Sequence, residues 1–194
     1  MIVIVTYSIV FFVLLNFQFL YLEKYPFLNN YFAGVYTFSE LLFFSLVYCV
    51  NLKSKKFNII AAIILVAFGV FQALISKKVE VEIIDNVPVG IETLIMYLFI
   101  FYFFYTKFIH IDDQYIYNNY CFWISIGIML YLGGSFFFYI LGSHIPKEII
   151  KSYWYFTYII EFAKNILFAI SILVFAKQTK IKFSNKNIPY LDFN

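Results

Sequence analysis

Long, uniformly apolar stretches alternate along the chain with short polar interruptions, and the stretches lack the polar face of a helix lying on a soluble core. Runs of about 20 apolar residues match the ~30 Å hydrocarbon core of a bilayer at ~1.5 Å of rise per residue. The first runs from Ile2 to Leu22 and ends at Glu23-Lys24-Tyr25-Pro26, where proline marks the break. Ala33 to Leu52 closes with Lys53-Ser54-Lys55-Lys56, and Phe57 to Ser76 closes with Lys77-Lys78. So little separates these two that they predict a tight helical hairpin. Val79 to Gly90 carries Glu80, Glu82 and Asp85 before Val87-Pro88-Val89-Gly90, and predicts an extended loop. Three more runs follow, Ile91 to Phe108, Tyr120 to Leu141 and Ser152 to Ala176, divided by His110-Ile111-Asp112-Asp113 and by a loop from Gly142 to Lys151. The pattern predicts an all-α fold, a polytopic transmembrane helical bundle of about six spans. The bundle occupies residues 1–176, and a short basic tail occupies 177–194.

The N-terminus begins Met1-Ile2-Val3-Ile4-Val5 with neither a basic n-region nor a small-residue cleavage site, so the first run is expected to be a span rather than a cleaved signal peptide. Composition agrees. Of 194 residues 63% are apolar and 13% charged, against roughly 45–50% and 25% in soluble domains. The spans consume nearly the whole length, so no room remains for a soluble catalytic domain.

The net charge of +3 arises from 14 basic residues, all of them lysine. Nucleic-acid binding is not expected, because arginine is the residue of bidentate phosphate and base-edge contacts. The lysines serve instead as topology signals. One face of a six-span bundle holds Lys53, Lys55, Lys56, Lys107, Lys177, Lys180, Lys182 and Lys186; the other holds Lys24, Lys77, Lys78, Lys147 and Lys151. By the positive-inside rule both termini are expected in the cytoplasm. Cys49 and Cys121 then sit near the reducing side and are expected as small apolar residues rather than a disulfide. Trp123 and Trp154 fall near span ends, as interfacial anchors do.

Candidate chemistry concentrates at ionisable residues inside apolar runs. A central Lys or Asp costs roughly 2.5–3.5 kcal/mol on insertion scales, so such groups face the bundle interior and find a partner. Glu40 lies in the second run; Glu161 and Lys164 lie three apart in the sixth, with Asn165 four from Glu161, which puts these three on one helical face. Two arrangements follow. Glu161 neutralises Lys164 within its own helix, or Glu40 meets Lys164 across the bundle to form a buried ionic cluster of Glu40, Glu161, Lys164 and Asn165. Such a cluster could bind a polar ligand or relay a proton.

His110 and His144 fall on opposite faces in this topology and cannot share a metal. Glu80, Glu82, Asp85 and Glu92 are expected as a hydrated acidic group at the outer face. No H-E-x-x-H, Cys/His metal spacing, G-x-S-x-G or phosphate-loop motif occurs, so neither catalytic residues, metal nor cofactor is expected. Gly69 and Ala73, and Gly127, Gly133 and Gly134, are small residues that let neighbouring helices approach closely.

The stretch Phe122-Trp123-Ile124-Ser125-Ile126-Gly127, continuing to Tyr131 and Gly133-Gly134-Ser135-Phe136, resembles uncharacterised multi-pass membrane proteins of the Bacteroidota. Glu40 and Phe162-Ala163-Lys164-Asn165-Ile166-Leu167-Phe168 look similar too, so the resemblance covers roughly residues 30 to 177. It implies a polytopic protein of the bacterial inner membrane and no particular activity. Its members look to carry one more N-terminal span, which bears on the inside and outside assignment. The expected function is a non-enzymatic sensor or accessory subunit. Its partners are the lipid bilayer, a small or lipid ligand, and a membrane or cytoplasmic protein. A small ion channel or proton-coupled transporter is the alternative.

Overall fold

The computed structural model describes residues 1–21, 29–76, 86–109, 116–142 and 155–186. These form six helices: α1 Ile2–Tyr21, α2 Asn29–Leu52, α3 Lys55–Ser76, α4 Asn86–Ile109, α5 Tyr120–Gly142 and α6 Tyr155–Lys186, with a single 3-10 turn at Ile116–Asn118 before α5. Five of them contain stretches long and apolar enough to cross a bilayer: Tyr31–Leu52, Lys55–Ile75, Val87–Ile109, Tyr120–Phe137 and Tyr155–Lys180. In α1 the apolar stretch runs over Ile2–Gln18. The all-α bundle expected from the apolar runs is the fold observed.

The distribution of side chains is that of a protein whose solvent is lipid. Large apolar residues such as Val66, Leu98, Phe162 and Leu173 point outward, while Glu40, Glu92 and Lys164 are buried. A soluble domain would leave charges at its surface; hydrocarbon reverses the preference and sends ionisable groups inward. The chain is a multi-pass helical membrane protein.

Two boundaries differ from the sequence expectation. Val87-Pro88-Val89-Gly90 belongs to α4 rather than to a loop. Proline is tolerated there because the first-turn N–H it lacks has no intrahelical acceptor anyway. At the other end α6 continues through Lys186, so the first part of the basic tail is helix. Residues 79–85, His110, Asp112, Asp113, His144 and Trp154 lie outside the described residues.

The helices connect through side-chain detail. α2 is central, packing against α1, α3 and α4, and α5 packs against α4 and, most extensively, α6. The α5–α6 seam depends on glycine: a Cβ on Gly134 would stand 2.3 Å from Ile160 Cδ1, and one on Gly127 would stand 3.1 Å from Phe168 Cε1. At the hairpin Lys53 has a positive φ of 51° and ends α2, and the Ser54 hydroxyl accepts from the Phe57 N–H at 3.4 Å to cap α3. Tyr120 donates to Asn51 Oδ1 at 2.6 Å, and Gln178 donates to the Asn118 carbonyl. These contacts bring the end of α2, the start of α5 and the far part of α6 together. Lys53, Lys55, Lys56, Lys177 and Lys180 therefore share one end of the bundle, called here the lysine end.

Candidate functional site

Midway along the bundle the side chains of four helices converge on one ammonium group. Lys164 of α6 is 2% exposed, and its Nζ donates to the Tyr7 hydroxyl of α1 at 2.9 Å. That hydroxyl donates in turn to Glu40 Oε1 of α2 at 2.8 Å. The Tyr131 hydroxyl of α5 donates to Glu40 Oε2 at 3.2 Å. Each carboxylate oxygen of Glu40 thus holds one phenol, and Lys164 reaches Glu40 through Tyr7. The same ammonium sits 3.8 Å from the centroid of the Tyr131 ring and 5.3 Å from that of Tyr7. Aromatic faces carry negative quadrupole charge that attracts a desolvated cation, worth roughly 2 kcal/mol or more when water is excluded.

Glu161 approaches from the same helix, its Oε1 3.9 Å from Nζ and its side chain 31% exposed. Among the described residues this is the ion pair within 4 Å. Asn165 is exposed. One residue advances a helix by 100°, so the step from Lys164 turns Asn165 away from the interior although it shares an edge with Glu161. Of the four residues singled out from the sequence, the structure places Glu40 and Lys164 together, sets Glu161 at the margin and leaves Asn165 outside.

Glu92 occupies a place that its grouping with the acidic loop residues does not suggest. Grouped by sequence with an acidic outer loop, it is buried in α4 at 1% exposure, and its Oε1 has no hydrogen-bond partner. It lies within electrostatic reach of Glu40 and Lys164. The residues either side, Ile91 and Thr93 onward, are already span, and that apolar context is the signal that sets Glu92 apart from the loop acids. Tyr7 and Tyr131 carry no such signal, because the chain holds 18 tyrosines, many suited to headgroup anchoring.

The centre is asymmetric along the bundle axis. Glu40 and Tyr131 lie about 18 and 17 Å from the lysine-end termini of their helices, whereas Glu92 lies about 26 Å from its own. Acidic groups therefore extend from the ammonium toward the end opposite the lysines. On the lysine side, one turn from Glu40 and from Lys164, the rings of Phe44 and Phe168 meet edge to face with centroids 6.3 Å apart. Both are buried, and Tyr7 covers them at 4.9 and 6.0 Å. Gly127 supplies the space that Phe168 fills. This aromatic plug separates the ionic centre from a second polar group nearer the lysine end. There Tyr48 donates to Ser125 at 3.0 Å while Ser125 donates to the Cys121 carbonyl at 2.8 Å. Ser45 and Ser171 are also fully buried, with hydroxyl oxygens lacking partners.

Among the described residues no group of three or more His, Cys, Asp or Glu side chains stands close enough to hold a metal ion. Cys121 packs in the core and Cys49 is half-buried, both as free thiols. No protein-family model, curated protein or solved structure matches this chain.

Proposed function

We propose that this protein is a non-enzymatic membrane component, a sensor or accessory subunit whose helix packing is set by the state of the Lys164 centre. One observation carries the reading: a single buried ammonium is held by groups from α1, α5 and α6 and, through Tyr7, from α2. Removing or redirecting that charge loosens four helices together. A buried charge held through such a network contributes little net stability but is costly to leave without its partners. It therefore suits a packing switch better than a structural staple. The ligand in this reading is a small polar or lipid molecule, and the output passes to a membrane or cytoplasmic protein through the basic end of α6. The lysine distribution supports both termini in the cytoplasm, and the resemblance to multi-pass membrane proteins of the Bacteroidota supports the inner membrane of a bacterium.

A proton-coupled transporter or small ion channel is the second reading. It is favoured by the buried polar groups that resume beyond the aromatic plug, which would have to swing aside for passage. Purified protein in liposomes separates the two. The sensor reading expects vesicles that stay tight to protons and cations. It also expects a changed distance between spin labels at the exposed Ile2 of α1 and Leu130 of α5 when Lys164→Met is introduced. A flux abolished by Lys164→Met and Glu40→Gln would decide for transport. Unchanged label distances in both variants would sink the sensor reading.

A further inference from the structure

Among the described residues one buried ammonium, Lys164, has two buried carboxyl groups, Glu40 and Glu92, and a third at the margin, Glu161, competing for it. Glu40 is satisfied, with a phenol on each oxygen and Lys164 one hydroxyl away. Glu161, at 31% exposure, stands at the margin of the packed interior with its Oε1 3.9 Å from the Lys164 ammonium. Glu92 has neither advantage, being buried with a bare Oε1. The charged groups within electrostatic reach of it are Glu40 of α2 and Lys164 of α6. Of these only Lys164 is cationic, and it is already divided between Tyr7, two aromatic faces and Glu161.

A carboxylate left in that position would hold an unpaired charge out of water, at several kcal/mol. A carboxylic acid leaves only a neutral acceptor unsatisfied, at about 1–3 kcal/mol. We propose that Glu92 is a reversible proton-binding site of the buried centre, a neutral acid in the packing described that releases its proton to water from the end opposite the lysines. The step is simple dissociation: the O–H bond of the carboxylic acid breaks, the electron pair stays on Glu92, and no other bond changes. Once ionised, Glu92 becomes a second carboxylate within reach of Lys164. The flexible four-carbon stem of that lysine then lets the ammonium turn from Tyr7 toward α4. The inference rests on the sensor reading for its consequence and on the geometry of Glu92 for the site.

Infrared spectroscopy of the whole chain in liposomes, titrated from acid to alkaline pH, tests it. Wild type is expected to show the carbonyl stretch of a protonated carboxylic acid at neutral pH, absent from Glu92→Gln and lost reversibly in alkali. Should Glu92→Gln fail to fold, Glu92→Asp must shift the frequency of the same band. A spectrum without the band at neutral pH, a band that survives Glu92→Gln or keeps its frequency in Glu92→Asp, or a band unchanged across the titration would overturn the proposal. Spin labels at the exposed positions Ile2 and Leu173 report the consequence in the same vesicles. A titrating band with a changing α1–α6 distance supports both site and sensor; a titrating band with a constant distance supports the proton site and overturns the sensor reading.

Discussion

Replacing Tyr7 with Phe removes one oxygen atom from the interior and nothing else. The ring keeps its contacts with Phe11 at 4.3 Å, Phe44 at 4.9 Å and Phe168 at 6.0 Å between centroids, so no cavity opens. Two hydrogen bonds disappear, one from the Lys164 ammonium at 2.9 Å and one to the Glu40 carboxylate at 2.8 Å. Side-chain hydrogen bonds between membrane helices average roughly 0.6 kcal/mol and reach about 1.7, and bonds to charged groups generally lie near 1.5–3. The pair places Tyr7→Phe at about 1–3 kcal/mol, or roughly 5- to 150-fold in the unfolding equilibrium. Tyr131→Phe is the control. It loses the longer 3.2 Å bond to Glu40 and a side-chain hydrogen bond with Tyr36, while its ring stays under the ammonium at 3.8 Å, so it keeps its hold on the ammonium and serves as the comparison for hydroxyl loss alone. In a Lys164→Met background Tyr7→Phe forfeits only the bond to Glu40, and its cost should fall by about half, since residues sharing a network are not additive. Titration of the protein from mixed micelles into denaturing detergent, followed by tryptophan fluorescence, measures all four variants. A Tyr7→Phe protein as stable as wild type, or a Tyr7→Phe cost undiminished in the Lys164→Met background, would refute the assignment of Tyr7 as the bridge.

Other consequences concern packing and the lysine end. Gly134→Ala drives a methyl against Ile160 at three atoms, with Cδ1 at 2.3 Å; a loss of about 1–3 kcal/mol is expected, recovered in part by Ile160→Ala in the same denaturation assay. Gly133→Ala meets the Tyr97 hydroxyl at 2.2 Å. That hydroxyl donates to the Met129 carbonyl at 3.0 Å, so a Gly133→Ala, Tyr97→Phe double variant should unfold at a higher detergent fraction than Gly133→Ala alone. Lys53 holds a left-handed conformation that costs a non-glycine residue roughly 1–2 kcal/mol. Lys53→Gly should leave stability unchanged or raise it by up to about 1 kcal/mol, glycine's entropy offsetting part of the gain, whereas β-branched Lys53→Val should lower it. Single cysteines placed at Lys55 and at Lys180 in a chain free of Cys49 and Cys121 should react with an impermeant thiol reagent from the same side of sealed vesicles.

The helices were legible because the length of an apolar run is a local property that a bilayer reads directly. Bounds predicted from hydropathy fall within a few residues of α1, α2, α3 and α5. They fail where polar residues enter a helix, at the start of α4 and along the extension of α6. Glu40 and Lys164 were equally legible, since an ionisable residue in an oily run is conspicuous wherever it points. Their relation was not. A helix apolar on every side gives no periodic sign of which face is buried, because lipid and protein interior are alike in polarity. Rotation about each axis is settled instead by glycine contacts and ring packing between helices distant in sequence. Only tertiary structure could therefore seat Tyr7 between Glu40 and Lys164, draw Glu92 from an apparent loop cluster into the interior, and turn Asn165 out.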